Sequence, residues 1–209
     1  MCAILGFTSP SLKKEQILPY FEKTKSRGPD DTRLEPAGSG MLGFHRLAIM
    51  GLHPEGMQPF HRGSDMAVCN GELYGFRPVK AMLEAKGYQF QSDSDCEIIL
   101  PLWKEYGTDM FAKLDAEFAM IIYDAASDSL VAARDPIGIR PLFYGYLEDG
   151  SIIFASEAKN LVGLCAHVFP FPPGHYYKDG KFVRYADLTT VTKYSDDDLD
   201  TVTKTIPEK

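Results

Sequence analysis

Short apolar segments separated by turn residues dominate the hydrophobic pattern along this chain. The segments are rich in β-branched and aromatic residues, as β-strands are, and Asp149-Gly150 and Asp179-Gly180 are strong turn signals. Strands joined by such short turns must run antiparallel, because a parallel pair needs a long crossover. We predict strands at Ala3–Phe7, Met41–Ile49, Met66–Cys69, Phe118–Asp124, Leu130–Arg134, Leu142–Tyr146, Ile152–Ala155 and His175–Lys178.

Three segments have the periodicity of helices instead. Two of them are Lys13–Lys25 and Pro78–Lys86, and the second has a proline at its start and a glycine after its end, as helices often do. The third follows Ser94, where Ser94 and Glu97 have the spacing of a capping box. An apolar stripe at helical spacing comes next and ends at Gly107.

The predicted fold class is α+β, with antiparallel sheets stacked on one another and helices covering the outer faces. We predict one domain at residues 1–186. From about Asp187 onward the sequence turns to Thr, Asp, Ser and Lys and includes the acidic run Ser195–Asp198. This composition predicts a linker or a frayed tail at residues 187–209.

Charge and hydropathy restrict the function classes. The chain has 209 residues, a formal net charge of −7 and dispersed Lys and Arg residues, whereas nucleic-acid binding needs a clustered basic surface. Its longest apolar run, near Phe118–Tyr123, is far shorter than the roughly 20 residues of a membrane-spanning helix. We therefore expect no nucleic-acid partner and no membrane association.

The four cysteines, Cys2, Cys69, Cys96 and Cys165, lie at long and irregular intervals. No pair has the two-to-four-residue spacing of a zinc site, so we expect no metal. So few cysteines in so long a chain also argue against a secreted disulfide framework, which makes the reducing cytoplasm the expected location.

Cys2 directly follows the initiator methionine. If Met1 is removed, this residue carries both a thiol and a free α-amine, whose pKa of about 8 makes it a proton acceptor near neutral pH. An adjacent base is what a thiol needs to become a strong nucleophile there. The other interpretation is a chance cysteine at a frayed terminus, and Cys2 taken alone favours it.

Several polar residues interrupt the apolar pattern. Arg46 falls inside an apolar strand, where its guanidinium needs either a ligand carboxylate or an internal acid. Asn70-Gly71 is predicted to leave a strand in a tight turn and to offer an amide and an N–H to an oxyanion, although Asn-Gly is also a common hairpin dipeptide. Glu72 and Asp95 could hold an ammonium group, and Asp95 could equally serve the dipole of the helix that it begins.

A series of short motifs spans roughly residues 1–180. The motifs are Met1-Cys2-Ala3-Ile4, Arg27-Gly28-Pro29-Asp30, Phe44-His45-Arg46-Leu47-Ala48-Ile49, Gly56-Met57-Gln58-Pro59, Asn70-Gly71-Glu72-Leu73-Tyr74, Ser94-Asp95-Cys96-Glu97-Ile98-Ile99, Ala133-Arg134-Asp135-Pro136-Ile137-Gly138-Ile139-Arg140-Pro141-Leu142 and Ala155-Ser156-Glu157-Ala158-Lys159. In their identity and order they resemble the amino-terminal glutaminase half of glutamine-dependent asparagine synthetase, a class II glutamine amidotransferase. The Arg-Gly-Pro-Asp form points to asparagine synthetase in particular within that class.

The resemblance implies an N-terminal-nucleophile hydrolase fold, a four-layer αββα sandwich of two antiparallel sheets. It implies that Cys2 attacks the side-chain amide of L-glutamine, with its own α-amine as the base. Asn70 and the N–H of Gly71 would stabilise the oxyanion. Ammonia would then leave, and water would hydrolyse the Cys2 thioester to glutamate.

The resemblance also implies how the substrate is held. Arg46 would pair with the α-carboxylate of glutamine, which suits the bidentate geometry of a guanidinium. Glu72 and Asp95 would receive the α-ammonium group, and the backbone of Met50 would line the same pocket.

The chain departs from the family at a few positions. Ala3 stands where glycine is usual, and a methyl group at this position could crowd the substrate or alter the geometry of the nucleophile. Ser26, Gly75 and Ala116 also replace residues that are common in the family. None of these changes removes a group named above.

The Ser-Gly-Gly-x-Asp-Ser loop that binds ATP pyrophosphate in asparagine synthetase does not occur in these 209 residues. The resemblance thus implies no cofactor in this chain, with ATP and Mg belonging to an absent synthetase domain. Either a truncated glutaminase half or a subunit with a separate synthetase partner fits, and a homodimer is a further assembly to consider. Two other functions stay open, namely an amidotransferase for another acceptor and a catalytically silent glutaminase-like binding module.

Overall fold

The structure is a computed structural model that describes residues 1–191, 194 and 196–205. Its strands are β1 Ala3–Phe7, β2 Asp31–Ala37, β3 Gly40–Arg46, β4 Phe60–Arg62, β5 Asp65–Leu73, β6 Ala116–Asp124, β7 Ser129–Arg134, β8 Phe143–Tyr146, β9 Ile152–Ala155, β10 Val168–Pro170, β11 His175–Lys178 and β12 Lys181–Arg184. Its α-helices are α1 Lys14–Phe21, α2 Phe76–Ala85, α3 Ile99–Tyr106 and α4 Leu199–Thr205. Short 3₁₀ helices occupy Glu22–Arg27, Pro54–Gly56, Asp95–Ile98, Gly107–Lys113 and Ala158–Asn160.

The strands form two six-stranded sheets. The first has the order β10-β8-β9-β1-β3-β2 and the second has the order β12-β11-β7-β6-β5-β4. Neighbouring strands are antiparallel in both sheets. The antiparallel arrangement predicted from the short turns is therefore confirmed.

The side-chain alternation along each strand separates two faces. In β1, Ile4 packs into the core between the sheets, while Leu5 packs into a second core on the outer side. In β5, Val68 faces the first of these cores and Ala67 faces a third. The inner core joins both sheets through Ile4, Leu42, Phe44, Val68, Ile121 and Ala132.

Helices cover the outer face of each sheet. Ile17 and Phe21 of α1 are fully buried against the outer side of the first sheet. Leu83 of α2 and Ile99 of α3 are buried against the outer side of the second sheet. These layers confirm the αββα sandwich that the resemblance implies.

The eight predicted strands are present, with shifts at their ends. The strand predicted to reach Ile49 ends at Arg46, and the one predicted to end at Cys69 continues to Leu73. The predicted helix at Lys13–Lys25 is an α-helix for its first half and 3₁₀ from Glu22 onward. The sequence did not predict β2, β4, β10 or β12.

The capping box predicted at Ser94 and Glu97 is wrong. The Ser94 side chain makes no capping hydrogen bond. The Glu97 carboxylate instead accepts hydrogen bonds from the N–H groups of Gln91 and Ser92, at 2.7 and 2.8 Å. The Glu97 carboxylate therefore binds the loop that precedes Ser94 and does not cap the helix. The helical segment begins with the 3₁₀ helix Asp95–Ile98, which leads into α3.

No helix among the described residues is long and apolar enough to cross a lipid bilayer. The segment predicted to be a linker or frayed tail includes α4, whose side chains are exposed from Leu199 to Lys204. Ser195 of the acidic run and residues 206–209 lie outside the described residues, and the domain boundary at residue 186 stays a prediction.

Candidate active site

One cavity of about 140 Å³ opens at the ends of β1, β3 and β5. It is lined by all seven predicted site residues, namely Cys2, Arg46, Met50, Asn70, Gly71, Glu72 and Asp95. The structure thus brings together residues from widely separated parts of the sequence. None of the predicted site residues lies elsewhere.

Strand alternation explains why three of these side chains meet. Ile4, Phe44 and Val68 all face the core between the sheets, and side chains two residues apart on a strand share a face. Cys2, Arg46 and Asn70 therefore continue the same three inner-facing rows. Each row ends in a polar group where the apolar core gives way to the cavity.

The Cys2 thiol lies against the loop after β3. Its Sγ is 3.3 Å from the backbone N of Leu47, which donates to it. Burial raises the pKa of the Cys2 thiol above its ordinary value, and the hydrogen bond from Leu47 opposes that rise. Met1 also lines the cavity but is 47% exposed, so its side chain is not part of the core.

Arg46 is buried, with only 7% of its surface exposed. Its guanidinium donates to the carbonyl oxygens of Gly51 and His53, the latter at 3.3 Å from both Nη1 and Nη2. The partner is therefore a loop backbone, and the internal acid considered from the sequence is not what it binds. A Cβ at Gly56 would lie 2.2 Å from the Gly51 oxygen, so the loop can close around the guanidinium only with glycine there.

The prediction that Asn70 and Gly71 leave a strand in a tight turn is wrong. Both residues lie within β5. They pair in register with Ala119 and Phe118 of β6, because the strand continues to Leu73. The Asn-Gly hairpin interpretation is excluded with it. Asn70 is 3% exposed, and its Nδ2 is buried without a hydrogen-bond partner among the described residues. A buried N–H donor without an acceptor destabilises the folded protein, unless a ligand or water accepts its hydrogen bond.

Backbone geometry directs the Gly71 N–H toward the same region. N–H groups of alternate residues point to the same edge of a strand. On β5, the Cys69 N–H donates to Gln58 Oε1 at 2.6 Å and the Leu73 N–H donates to Asp95 Oδ2 at 2.7 Å. The Gly71 N–H lies between them on that edge, where the cavity is open.

Two carboxylates lie on the cavity wall. Asp95 is 5% exposed, and its bond to the Leu73 N–H ties it to β5 rather than to the helix that it begins. Glu72 and Met50 also line the cavity, and both residues are exposed. A cation, Arg46, and these anions therefore line one small space, which suits a zwitterionic ligand.

The methyl group of Ala3 does not line the cavity, so the crowding considered from the sequence does not occur. Ala3 belongs to the same row as Leu5, which packs on the outer side of the first sheet. Its side chain is fully buried there. The departure from glycine therefore places no methyl group in the cavity.

Sequence reasoning missed three further residues that support or line the site, although the quoted motifs contain them. Arg27 donates from Nε to the Cys2 carbonyl oxygen at 3.1 Å and from Nη1 to Glu157 Oε1 at 2.9 Å. Gln58 bonds the backbone of Cys69. Arg140 lines the cavity and forms an ion pair with Glu117. Their place in the motifs was the available signal.

Two more thiols, Cys69 and Cys96, line the cavity and are nearly fully buried. The hydrogen bond between them, together with burial, holds the pKa of Cys96 well above its ordinary value. Within the described part of the chain, no group of three or more His, Cys, Asp or Glu residues is placed to hold a metal ion.

Comparisons with known proteins fit this geometry. The profile of a glutamine amidotransferase domain matches residues 1–175. A probable asparagine synthetase [glutamine-hydrolyzing] of Dictyostelium discoideum is 38% identical over 194 residues, covering 88% of this chain and 35% of that protein. The asparagine synthetase [glutamine-hydrolyzing] of Zea mays is 39% identical over 178 residues, covering 84% of this chain and 30% of that protein.

The chain thus spans about a third of the length of these curated relatives. Among solved structures, glutamine phosphoribosylpyrophosphate amidotransferase from B. subtilis superimposes with a TM-score of 0.71 at 21% identity. The superposition covers 88% of this chain and 49% of that one. At this identity the likeness establishes the fold alone.

Proposed function

The chain belongs to the glutamine amidotransferase domain family, and on that premise we propose that it is the glutaminase half of a glutamine-dependent asparagine synthetase. It hydrolyses L-glutamine to glutamate and ammonia. The single observation that carries the proposal is the meeting of Cys2, Asn70 and Arg46 in one cavity. A nucleophile, an unpaired donor and a carboxylate-binding cation are the three groups that amide transfer from an amino acid needs.

Removal of Met1 by processing precedes the reaction and leaves a free α-amine on Cys2. This amine takes the thiol proton as Sγ attacks the side-chain carbonyl carbon of glutamine. The negative charge that develops on the carbonyl oxygen is stabilised by Asn70 Nδ2 and the Gly71 N–H. Because Asn70 Nδ2 has no protein partner in the described residues, binding the oxyanion breaks no existing hydrogen bond.

Collapse of the tetrahedral intermediate breaks the C–N bond, and the amine proton leaves with the departing ammonia. A Cys2 thioester of glutamate remains. Water then adds to the thioester carbonyl while the α-amine accepts a proton from it. The C–S bond breaks, the amine returns this proton to the Cys2 sulfur, and glutamate is released. The same oxyanion donors serve both steps, since the charge develops on the same oxygen.

The other end of the substrate is held by fixed charges. Arg46 receives the α-carboxylate, because its guanidinium is oriented by the Gly51 and His53 carbonyls and needs little reorganisation. Asp95 and Glu72 receive the α-ammonium group, and the backbone of Met50 lines the pocket. This pairing favours an amino acid over a simple amide.

Ammonia passes to a synthetase domain or subunit that amidates aspartate. The similarity to asparagine synthetases over most of this chain supports that acceptor over others. A reducing compartment such as the cytoplasm suits the mechanism, because Cys2 must stay a free thiol; the four cysteines are all free in the structure.

The experiment that tests the proposal is a steady-state glutaminase assay on the processed chain and on Cys2→Ala. The processed chain should release glutamate and ammonia in equal amounts, and hydroxylamine should divert the thioester to γ-glutamyl hydroxamate. Cys2→Ala should release neither product while still binding glutamine by calorimetry, because the binding charges remain.

Unchanged turnover by Cys2→Ala would refute the nucleophile. Full activity of a chain whose intact mass shows that Met1 is retained would refute the α-amine as base. Glutamine binding without any hydrolysis by the processed chain would instead identify a silent binding module.

A further inference from the structure

The side chain of Gln58 makes two hydrogen bonds to a single residue of β5. Its Oε1 accepts from the Cys69 N–H at 2.6 Å, and its Nε2 donates to the Cys69 carbonyl oxygen at 3.1 Å. Gln58 is 5% exposed and lines the cavity. It follows Met57 in the Gly-Met-Gln-Pro motif, to which the proposed mechanism assigns no role.

These two bonds replace those of a neighbouring strand. β4 pairs with β5 from Phe60 opposite Ala67 to Arg62 opposite Asp65. Two residues before Phe60, the same register sets Gln58 opposite Cys69. In an antiparallel ladder such partners exchange both backbone bonds, and here the side-chain amide of Gln58 makes the exchange.

The Gln58 side chain thus ends the hydrogen-bond ladder between β4 and β5, at a position where backbone groups would otherwise continue it. A strand running past Gln58 would next bond the Gly71 N–H, since that group lies on the same edge of β5. The residues before Gln58 instead form the 3₁₀ helix Pro54–Gly56, so no backbone among the described residues reaches the Gly71 N–H from that side. The edge is thus held at Cys69 by Gln58, is held again at Leu73 by Asp95, and stays open at Gly71 between them.

We propose that Gln58 is a positioning residue that holds the oxyanion donors of this site, an inference that rests on the proposed function. Asn70 directly follows the clamped residue, and Gly71 follows Asn70. Any shift of the Cys69 backbone therefore moves both donors. Oxyanion donors act within a narrow distance range of about 2.7–3.1 Å, and a misplacement of about 1 Å can cost on the order of 100-fold in rate.

The first test is Gln58→Met, which keeps the length of the side chain and removes both hydrogen bonds. Its kcat should fall about 10- to 100-fold, while KM for glutamine stays close to that of the unmodified enzyme, because Arg46 and Asp95 are untouched. The matched control is Asn160→Leu. Asn160 is another buried amide that bonds backbone carbonyls, those of Tyr20 and Phe21, but it lies away from the cavity.

The control should lower the melting temperature without lowering kcat of the folded enzyme. Equal loss of kcat in both variants would overturn the proposal, as would an unchanged kcat in Gln58→Met. A raised KM with normal kcat would also overturn it, because that pattern indicates substrate binding. An unmodified enzyme without glutaminase activity would be a failure of the proposed function instead.

Gln58→Glu tests the same role even if Gln58→Met does not fold. A protonated carboxyl offers one acceptor and one donor, as the amide does, whereas a carboxylate has no donor for the Cys69 carbonyl. Burial raises the pKa of the introduced carboxyl. The ratio of its kcat to that of the unmodified enzyme should therefore fall as pH rises through that pKa, and a ratio independent of pH would overturn the proposal.

Discussion

Arg27 holds the backbone of Cys2, with its Nε 3.1 Å from the Cys2 carbonyl oxygen. The guanidinium is fixed in turn by Glu157, whose Oε1 lies 2.9 Å from Nη1. The neighbouring Gly28 packs directly against the backbone of β3, because a Cβ there would lie 2.3 Å from the carbonyl carbon of His45. Two motifs distant in the sequence thus meet at the residue proposed as the nucleophile.

Arg27→Met should lower kcat about 10- to 100-fold, because freeing the Cys2 backbone misplaces the thiol relative to the substrate carbonyl. KM for glutamine should change little, since Arg27 is not among the residues lining the cavity. Steady-state kinetics measures both quantities.

The control for this prediction is Lys159→Met. Lys159 also pairs with Glu157, at 2.8 Å, but its side chain is 49% exposed, and exposed ion pairs contribute little. Near-normal kcat is expected for it. A loss as large as that of Arg27→Met would show that kcat depends on the ion pairs of Glu157 and not on the hydrogen bond to the Cys2 carbonyl.

Asn70→Ala should lower kcat by about 10²- to 10³-fold, the usual effect of removing one oxyanion donor. Glutamine binding should persist, because the ground-state amide needs this donor less than the oxyanion does. The variant should not lose stability through a broken Nδ2 hydrogen bond, since Nδ2 is unpaired. Kinetics and calorimetric binding of glutamine, measured on the same preparation, check both expectations; a rise in KM that accounts for the whole loss would contradict them.

Arg46→Lys should raise KM for glutamine and leave kcat largely intact. The ammonium group keeps the charge but cannot bond the Gly51 and His53 carbonyls and a bidentate carboxylate together. The affected contact is made to a part of the substrate that does not react, so it contributes mainly to uniform binding. Arg33→Lys, on β2 and not among the cavity-lining residues, is the matched control. A normal KM with lost turnover would show that Arg46 acts on the reacting amide instead.

The fold was predictable from the sequence except at its margins. The four strands that the pattern missed, β2, β4, β10 and β12, are the four edge strands of the two sheets. An edge strand has a neighbour on one side alone, and it carries charged residues or proline that prevent further pairing. Pro36 in β2 and Pro170 in β10 are examples. Apolar alternation is therefore weakest where the sheets end.

The site was predictable where a residue's own chemistry identifies it. Cys2, Arg46 and Asp95 are groups that apolar patterning does not explain, and motif resemblance placed them together. Arg27 and Gln58 act on backbone atoms of residues that are 25 and 11 positions away in the chain. Such contacts depend on sheet register, which sequence spacing does not reveal.

Removal of Met1 should change the pH at which the Cys2 thiol becomes reactive. With Met1 in place, burial keeps the thiol pKa above its ordinary value, so the thiol is protonated at neutral pH and iodoacetamide should react slowly until the solution is strongly alkaline. With Met1 removed, an α-amine with a pKa of about 8 adjoins the thiol. Alkylation and glutaminase turnover should then rise together as the amine loses its proton.

Cys165 supplies an internal control in the same molecules. Burial raises the pKa of its thiol to about 11, and it does not line the cavity, so its alkylation rate should not respond to Met1 removal. Quantitative mass spectrometry of both peptides, over the neutral and alkaline range, gives the two rates side by side. If Cys2 alkylation in the processed chain rises with pH no earlier than in the unprocessed chain, the α-amine does not activate the thiol. The base must then be sought elsewhere in the cavity, because the thiol alone is largely protonated at neutral pH.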